Sequence, residues 1–243
     1  MKNKITLALT LTSLLPFSQA VVAQSWGYGA DNGPAHWGSF SSTCSQGKNQ
    51  SPIDIETQSL TAAEMTPLEF DYSGAIDNVT NNGHTIQINV TGNNTLKLDQ
   101  QTFSLKQFHF HTPSENTING KHASLEAHFV HANDNGELAV VAVMYDIGKR
   151  EDSALSALLN TLPANGQSIK VESDVRLEPL LPRVHNYYRY NGSLTTPPCS
   201  EGVRWIVLTD PQFIEQAPLD NLSGTMGNNA RPTQPHNARL ILK

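Results

Sequence analysis

The sequence is poor in cysteine and in basic residues, and after its first two dozen residues it has no long apolar run. Cys44 and Cys199 are its only cysteines, which limits the chain to one internal disulfide. Lys and Arg number 16 against 22 Asp and Glu, so the net charge is −6. A negative chain repels phosphate backbones and anionic lipid head groups, and no later segment approaches the roughly 20 residues that span a bilayer. The sequence therefore predicts no nucleic acid partner and no membrane partner, and it favours a small-molecule substrate.

Residues 1–23 have the layout of a secretory signal peptide. Lys2 and Lys4 precede the apolar run "ITLALTLTSLLPF", and small residues follow it. A membrane anchor is the alternative, but the run is shorter than roughly 20 residues and contains Pro16. Removal of the two lysines takes the net charge from −6 to −8. We therefore expect an exported protein, periplasmic or secreted.

Cleavage is expected after Ala20 or Ala23, which leaves residues 24–243 as one domain with no composition break inside it. In an oxidising compartment, Cys44 and Cys199 most simply form one disulfide. Two buried free thiols are the alternative.

Alternation of apolar and polar residues predicts strands through the middle of the chain. Further strands are predicted at 203–210 and 238–243, one helix is predicted in "SALSALLNTL" with Asp152 as its cap, and a helical turn is predicted from Asp210. The sequence thus predicts a mainly β fold with a few short helices. The strands predicted from alternation are 85–90, 95–98, 103–112 and 124–132, and the apolar run 138–147 predicts a more deeply buried strand.

Two histidines lie two residues apart in the segment "QFHFH". In a strand, His109 and His111 project from one face with Cα atoms roughly 6.6 Å apart, while Phe108 and Phe110 project from the other. Two imidazoles at this spacing can bind one metal ion, although two ordinary histidines on a polar face would give the same pattern.

A third imidazole is available in "SLEAHFVH", where Glu126, His128 and Val130 share one strand face. Glu126 is placed to hold the second ring nitrogen of His128, although a solvated glutamate on an edge strand is the alternative. Three neutral imidazoles leave the full charge of a zinc ion uncancelled and its fourth position open to water, which makes that water acidic.

Five segments together resemble the α-class carbonic anhydrases, in order and over nearly the whole mature chain. "WGYG" and "QSPIDI" near the mature start extend the resemblance, which implies one domain built on a large, mostly antiparallel twisted central sheet. Thr112-Pro113 after the second histidine resembles the bacterial, exported branch. The five segments are "NNGHTIQI", "QFHFHTPSEN", "SLEAHFVH", "NGSLTTPPCSEGVRWIVL" and "NNARPTQP".

The resemblance implies a zinc enzyme that hydrates CO2 reversibly to bicarbonate and a proton. Zinc would be bound by His109, His111 and His128, and zinc-bound hydroxide would attack CO2. Thr195 and Glu115 would orient the hydroxide, because a threonine hydroxyl that donates its one proton to a carboxylate presents only lone pairs elsewhere. Without the three histidines, the alternatives are a loop hydroxyl and a surface carboxylate.

The resemblance also assigns a proton shuttle to His84, whose unperturbed pKa near 6.5 suits reversible protonation; a loop histidine with no role is the alternative. It further implies the Cys44–Cys199 disulfide, sensitivity to sulfonamides and anions, and a possible homodimer. An apolar wall for CO2 is expected at Val130, Val140, Leu194 and Trp205, which core residues would equally explain. The polar wall is expected at Tyr28, Asn82, Gln87, Gln107 and Thr196, with Gln107 also beside a ligand histidine and Thr196 also in the substrate pocket.

Three other functions compete with this interpretation. A copper-zinc superoxide dismutase would need a second set of ligands, and the remaining histidines offer no second clear pair. A non-catalytic binding module on the same scaffold would lack a ligand histidine or the threonine, and here all are present. A serine hydrolase is disfavoured because no G-x-S-x-G motif occurs. The remaining histidines are interpreted as structural or surface residues: His36, His122, His131, His185 and His236.

Overall fold

The computed structural model describes residues 25–148, 154–171 and 175–243. The expected signal peptide and the expected helix cap at Asp152 lie outside these residues. No helix among the described residues has the length and hydropathy needed to cross a membrane.

The described residues form thirteen strands, three α-helices and two 3-10 helices. The strands are β1 (Asp54–Ile55), β2 (Glu69–Tyr72), β3 (Ala75–Asn81), β4 (Ile86–Thr91), β5 (Asn94–Leu98), β6 (Gln101–His111), β7 (Thr117–Ile118), β8 (Leu125–Ala132), β9 (Leu138–Ile147), β10 (Ser168–Lys170), β11 (Tyr187–Ser193), β12 (Glu201–Leu208) and β13 (Gln212–Ile214). The helices are α1 (Thr43–Gln46), α2 (Ala154–Leu159) and α3 (Gln216–Met226), and the 3-10 helices are Pro34–Ser39 and Glu178–Leu180.

Eleven of these strands form one large sheet, with the order β10-β3-β4-β6-β8-β9-β12-β11 along its main path. Strands β2 and β5 extend it beside β6, and β12 and β13 both run parallel to β9 while the other pairs are antiparallel. Strands β1 and β7 form a separate parallel pair. The predicted fold class, mainly β on a mostly antiparallel sheet, is confirmed.

Strands β6 and β8 lie next to each other, and their register places His109 opposite His128. On the other face of the same pair, Phe108 lies opposite Phe129, and their stacked rings are 4.8 Å apart. Phe108, Phe110 and Phe129 are fully buried in the larger apolar core. Burial of a phenylalanine side chain stabilises by about 1.5–3 kcal/mol, so the aromatic face of β6 and β8 fixes which way the histidines point.

Two secondary-structure predictions are wrong. The helical turn expected from Asp210 is instead β13, where Gln212 and Ile214 are buried and Phe213 is exposed, which is the period of a strand. The helix begins later, at α3, and Pro218 in its first turn obscured it in the sequence. The strand expected at 238–243 is reduced to isolated bridges from Leu242 to Thr61 and to Arg189.

A disulfide joins Cys44 in α1 to Cys199, with Cα atoms 5.1 Å apart. Both cysteines are buried against Trp37 in a small apolar cluster. Cys199 also donates its backbone N–H to the carbonyl oxygen of Thr196 at 2.8 Å. The disulfide therefore anchors the loop that follows β11, which carries Thr195.

His131 on β8 is fully buried away from the three histidines discussed above, and its Nε2 lies 2.8 Å from the hydroxyl of Tyr72. Burial lowers the pKa of His131 from 6.5 to about 4. The neutral ring is therefore the folded form, whereas the unfolded chain takes up a proton below pH 6.5. Stability due to this residue is present above pH 6.5 and is lost as the pH falls toward 4.

We predict that replacing His131 with Gln makes the protein less sensitive to acid. The linkage at this residue amounts to about 2 kcal/mol between pH 7 and pH 5. Urea unfolding of both proteins at the two pH values gives the loss of unfolding free energy for each, and the loss should be about 2 kcal/mol smaller in the variant. Equal losses in the two proteins would contradict a neutral, buried His131.

Candidate active site

Three imidazoles converge where β6 and β8 pair. One nitrogen from each of His109, His111 and His128 lies within 4.8 Å of the others, and the ring centroids of His111 and His128 are 4.5 Å apart. His111 and His128 are buried, and His109 is half-buried. Among the described residues this is the group of side chains suited to hold a metal ion.

The second nitrogen of each ring has a protein contact that selects its tautomer. Nδ1 of His109 donates to Oε1 of Gln107 at 2.9 Å, and Nδ1 of His111 donates to the backbone oxygen of Asn229 at 2.9 Å. Nε2 of His128 lies 3.1 Å from Oε1 of Glu126, although its angle falls outside that of a hydrogen bond. These contacts leave Nε2 of His109 and His111 and Nδ1 of His128 as the free lone pairs.

The converging atoms fit a metal ion on two grounds. Nε2 of His111 is buried without a hydrogen-bond partner among the residues that the structure describes, which is costly unless something else binds it. Burial lowers the pKa of all three histidines, and repulsion between His109 and the other two lowers its pKa further. Neutral imidazoles are the form that binds metal, so the site holds its ligands ready at neutral pH.

Glu126 is fully buried and accepts three hydrogen bonds. Its Oε2 accepts the backbone N–H groups of Glu115 and Asn116 at 2.6 and 2.9 Å, and its Oε1 accepts Nδ2 of Asn116 at 2.7 Å. Burial raises the pKa of Glu126, and the hydrogen bonds from Asn116 oppose this effect. The carboxylate beside His128 is therefore held in one orientation.

Glu115 lies beside the free nitrogens of His111 and His128. Its Oε1 accepts the backbone N–H of Arg231 at 2.8 Å, and its Oε2 lies 3.5 Å from Nε2 of His111. Burial raises the pKa of Glu115, and hydrogen bonding by Thr195 lowers it. Thr195 therefore adjoins Glu115, whose Oε2 has no further hydrogen-bond partner among the described residues.

A cavity of about 160 Å³ lies beside His109 and His111. A larger pocket, of about 740 Å³, lies around His185 and Tyr187 and contains none of the three converging histidines. The chemistry therefore belongs to the smaller cavity. Besides His109 and His111, six of the residues singled out in the sequence line it: Tyr28, Asn82, His84, Gln87, Gln107 and Thr196.

Four apolar residues expected beside the metal lie in one cluster next to His128. Trp205 is buried, and its ring centroid is 4.9 Å from that of His128. Val140 is buried in the same cluster, and Val130 and Leu194 pack against it half-buried. None of the four lines the cavity itself, so they adjoin it from the side of His128.

Comparison with known proteins decides the family. The family model of eukaryotic-type carbonic anhydrases matches residues 32–243. A carbonic anhydrase from Pectobacterium atrosepticum is 44% identical over 247 aligned residues, which cover all of both chains. The chain belongs to the α-class carbonic anhydrases. This membership assigns it CO2 hydration and replaces the superoxide dismutase alternative.

Solved structures agree with this assignment. The α-carbonic anhydrase of Photobacterium profundum is 56% identical with a TM-score of 0.87, and the match covers 90% of this chain and 100% of that one. The α-carbonic anhydrase of Thermovibrio ammonificans, solved with the inhibitor sulfanilamide, is 45% identical with a TM-score of 0.87. That match covers 90% of this chain and 99% of the other.

His84 stands at the rim of this carbonic anhydrase cavity. Its ring stacks on Trp26 with centroids 3.7 Å apart, and burial lowers its pKa from 6.5. The turn that carries it begins at Asn82, whose Oδ1 accepts the backbone N–H groups of His84 and Thr85, each at 3.0 Å. Trp26 was not singled out in the sequence analysis, because no sequence pattern indicates that its ring would stack on His84.

Two further residues were missed as parts of the site. Asn229 supplies the oxygen that holds His111, and its Nδ2 donates to the carbonyl oxygens of His84 and Phe110. Arg231 is buried, and its guanidinium donates to three oxygens on the segment 44–51. Both lie in "NNARPTQP", which marked the family but gave no sign that the segment would be buried beside the ligands.

We predict that replacing Glu126 with Gln weakens metal binding. A glutamine must turn either its oxygen or its NH2 toward the two backbone N–H groups, so it cannot serve these donors and His128 as the carboxylate does. Loss of such a partner typically lowers metal affinity by about 10- to 100-fold. Chelator competition with Zn2+ measures the affinity.

The matched control for this variant is Glu69→Gln, whose exposed carboxylate pairs with Lys97 at 3.3 Å. The control should bind Zn2+ as the unmodified protein does. An unchanged affinity in the Glu126 variant would show that this carboxylate does not support the ligand.

Proposed function

We propose that the chain is a zinc enzyme that hydrates CO2 reversibly, with one Zn2+ bound by His109, His111 and His128. The observation that carries the proposal is the convergence of three neutral imidazole nitrogens within 4.8 Å, one of them buried without a partner. When bound, zinc with three neutral ligands lowers the pKa of water at its open position and so supplies a hydroxide nucleophile at neutral pH.

Thr195 and Glu115 orient the nucleophile in this proposal. A zinc ion held by His111 and His128, whose nitrogens lie 3.5 and 3.8 Å from Oε2 of Glu115, would favour the ionised carboxylate against the effect of burial. The ionised carboxylate can only accept, so it takes the single proton of Thr195. Thr195 then presents lone pairs to the cavity and accepts an O–H donor there.

His84 is the proposed proton acceptor at the rim. It lines the cavity together with Asn82 and Gln87, whose amides provide positions for water between the ligands and the imidazole. Burial lowers its pKa from 6.5, which favours the neutral ring that can accept a proton.

In this proposal CO2 lies on an apolar side of the site and water lies on a polar side. The apolar cluster of Val130, Val140, Leu194 and Trp205 next to His128 suits apolar CO2, which we place on that side. Tyr28, Gln107 and Thr196 belong to the polar side, together with the residues around His84. Tyr28 stays protonated there, because burial raises its pKa far above the usual value.

The remaining proposals concern the whole protein. The disulfide supports export to an oxidising compartment, of which the periplasm is the one we propose, after cleavage of the signal peptide 1–23. Residues 24–243 would then be the mature domain. The sulfanilamide complex of the Thermovibrio ammonificans enzyme supports sulfonamide inhibition, whereas anion inhibition and a homodimer stay predictions.

We predict that CO2 hydration depends on zinc. Stopped-flow measurement with a pH indicator should show rapid hydration by the zinc-loaded protein, a fall to the uncatalysed rate after chelation, and recovery when Zn2+ is returned. The variant His128→Ala, which lacks one ligand, should bind Zn2+ weakly and stay inactive. Full activity in the chelated protein would contradict the proposed function.

We predict a different pattern for His84→Ala. Loss of the proton acceptor should lower kcat at least about tenfold in dilute buffer while leaving kcat/KM for CO2 unchanged, because the hydration step itself is intact. Added imidazole should restore much of the rate. If turnover in dilute buffer were unchanged, His84 would have no part in proton transfer.

A further inference from the structure

Two residues of the cavity, Asn82 and Gln87, are connected to a chain of amides that leads away from it. The chain crosses the sheet from β4 to β3 on the face that carries His109, since Gln87 lies opposite His109 in the register of β4 and β6. Asn89, two residues along β4, lies opposite Asn78 on β3. Side chains two apart on neighbouring strands form a continuous row on one face of a sheet.

The chain of hydrogen-bonded amides ends at a β-bulge. The register of β3 against β4 passes from Ile76 directly to Asn78, so Asp77 is the extra, unpaired residue. A bulge redirects the side chain that it carries, and here the carboxylate of Asp77 reaches the amide of its neighbour. Nδ2 of Asn78 donates to Oδ2 of Asp77 at 2.7 Å.

Each hydrogen bond in the chain points the same way. Oδ1 of Asn78 accepts Nδ2 of Asn89 at 2.7 Å, and Oδ1 of Asn89 accepts Nε2 of Gln87 at 2.7 Å. Oε1 of Gln87 then faces Nδ2 of Asn82 at 3.5 Å. The hydroxyl of Thr80 adds a further donor to Oδ1 of Asn78 at 2.8 Å.

The residues at the two ends of the amide chain, Asp77 and Asn82, allow only this direction of its hydrogen bonds. An ionised carboxylate can only accept, so Asn78 must turn its NH2 to Asp77 and its oxygen to Asn89. At the other end, Oδ1 of Asn82 accepts two backbone N–H groups, which can only donate, so its NH2 must face Gln87. An amide could otherwise turn over at little cost, because its two ends have nearly the same shape.

We propose that Asp77 is a positioning residue for the cavity: its carboxylate, acting through Asn78 and Asn89, fixes the amide of Gln87 with the oxygen toward Asn82. Gln87 therefore acts as an acceptor on the path between the metal ligands and His84. The effect on water and proton transfer rests on the proposed function, whereas the direction of the chain does not.

A reversal of the chain tests its direction without any activity measurement. Gln87→Glu places a group that can only accept in the middle of the chain, while Asp77 still requires the opposite direction. Asn89 then turns its NH2 to the new carboxylate, and Asn78 is left with its oxygen facing Asp77. Asp77→Asn removes this conflict, because an asparagine there can donate.

Urea unfolding of the two single variants and the double variant provides the measurement. Asp77→Asn should lower the ratio of folded to unfolded protein, or leave it unchanged, when Gln87 is present. It should raise the ratio about three- to tenfold when residue 87 is glutamate. The same effect of Asp77→Asn in both backgrounds would overturn the proposal.

The control for charge is Asp71→Asn, an exposed aspartate that accepts Nδ2 of Asn93 at 2.9 Å and has no link to the chain. It removes the same charge, so it should not rescue Gln87→Glu. The rescue by Asp77→Asn should also persist in 1 M salt, where charge repulsion over more than a few ångströms is screened. Equal rescue by both aspartate variants, or its loss in salt, would assign the effect to repulsion and overturn the proposal.

The functional consequence is measured on zinc-loaded protein. Asp77→Asn should lower kcat in dilute buffer about two- to threefold with kcat/KM unchanged, whereas Asp71→Asn should leave both unchanged. A fall in kcat/KM instead would contradict a role limited to proton transfer. If no variant and no unmodified protein hydrated CO2, the proposed function would fail while the unfolding result still decided the direction of the chain.

Discussion

The register between β6 and β8 is the constraint on which the site depends. The same pairing that stacks Phe108 on Phe129 places His109 opposite His128 on the other face. A slip of one residue would send every side chain of a strand to the opposite face, so the buried aromatic rings and the histidines are fixed together. The free energy that holds the ligands in place is therefore largely that of the apolar core behind them.

Polar contacts to the second nitrogen of each ligand then fix the orientation of its ring. Each histidine has its second nitrogen against an oxygen, from Gln107 for His109, from Asn229 for His111 and from Glu126 for His128. These oxygens belong to a side-chain amide, a backbone carbonyl and a carboxylate. Each acts in the same way, because it selects the tautomer with a free nitrogen toward the centre. The disulfide adds a further support, since it anchors the loop of Thr195 beside the cluster.

The sequence predicted the parts of the site that follow from strand period. Alternation located β4, β6 and β8 closely, and parity placed His109 and His111 on one face of their strand. The register that brings His128 opposite His109 came from the structure. Glu115 and Thr195 were reached only through the family resemblance, because no local pattern brings together residues so far apart in the chain.

The remaining residues could not be found from pattern. Asn229 acts on His111 through a backbone oxygen, which any residue type would supply. Asp77 acts through a bulge, and a bulge leaves the alternation around it almost unchanged. Helix α3 was missed because Pro218 stands in its first turn, although proline is tolerated where N–H groups have no partner within the helix.

The central claim is that three histidines hold one zinc ion and that no fourth side chain binds it. X-ray absorption at the zinc edge of the zinc-loaded protein tests this most directly. The account predicts three imidazole nitrogens at about 2.0–2.1 Å with one further light atom from solvent, and two imidazoles in the variant His109→Ala. Four protein ligands in the unmodified protein, or an unchanged number of imidazoles in the variant, would contradict it.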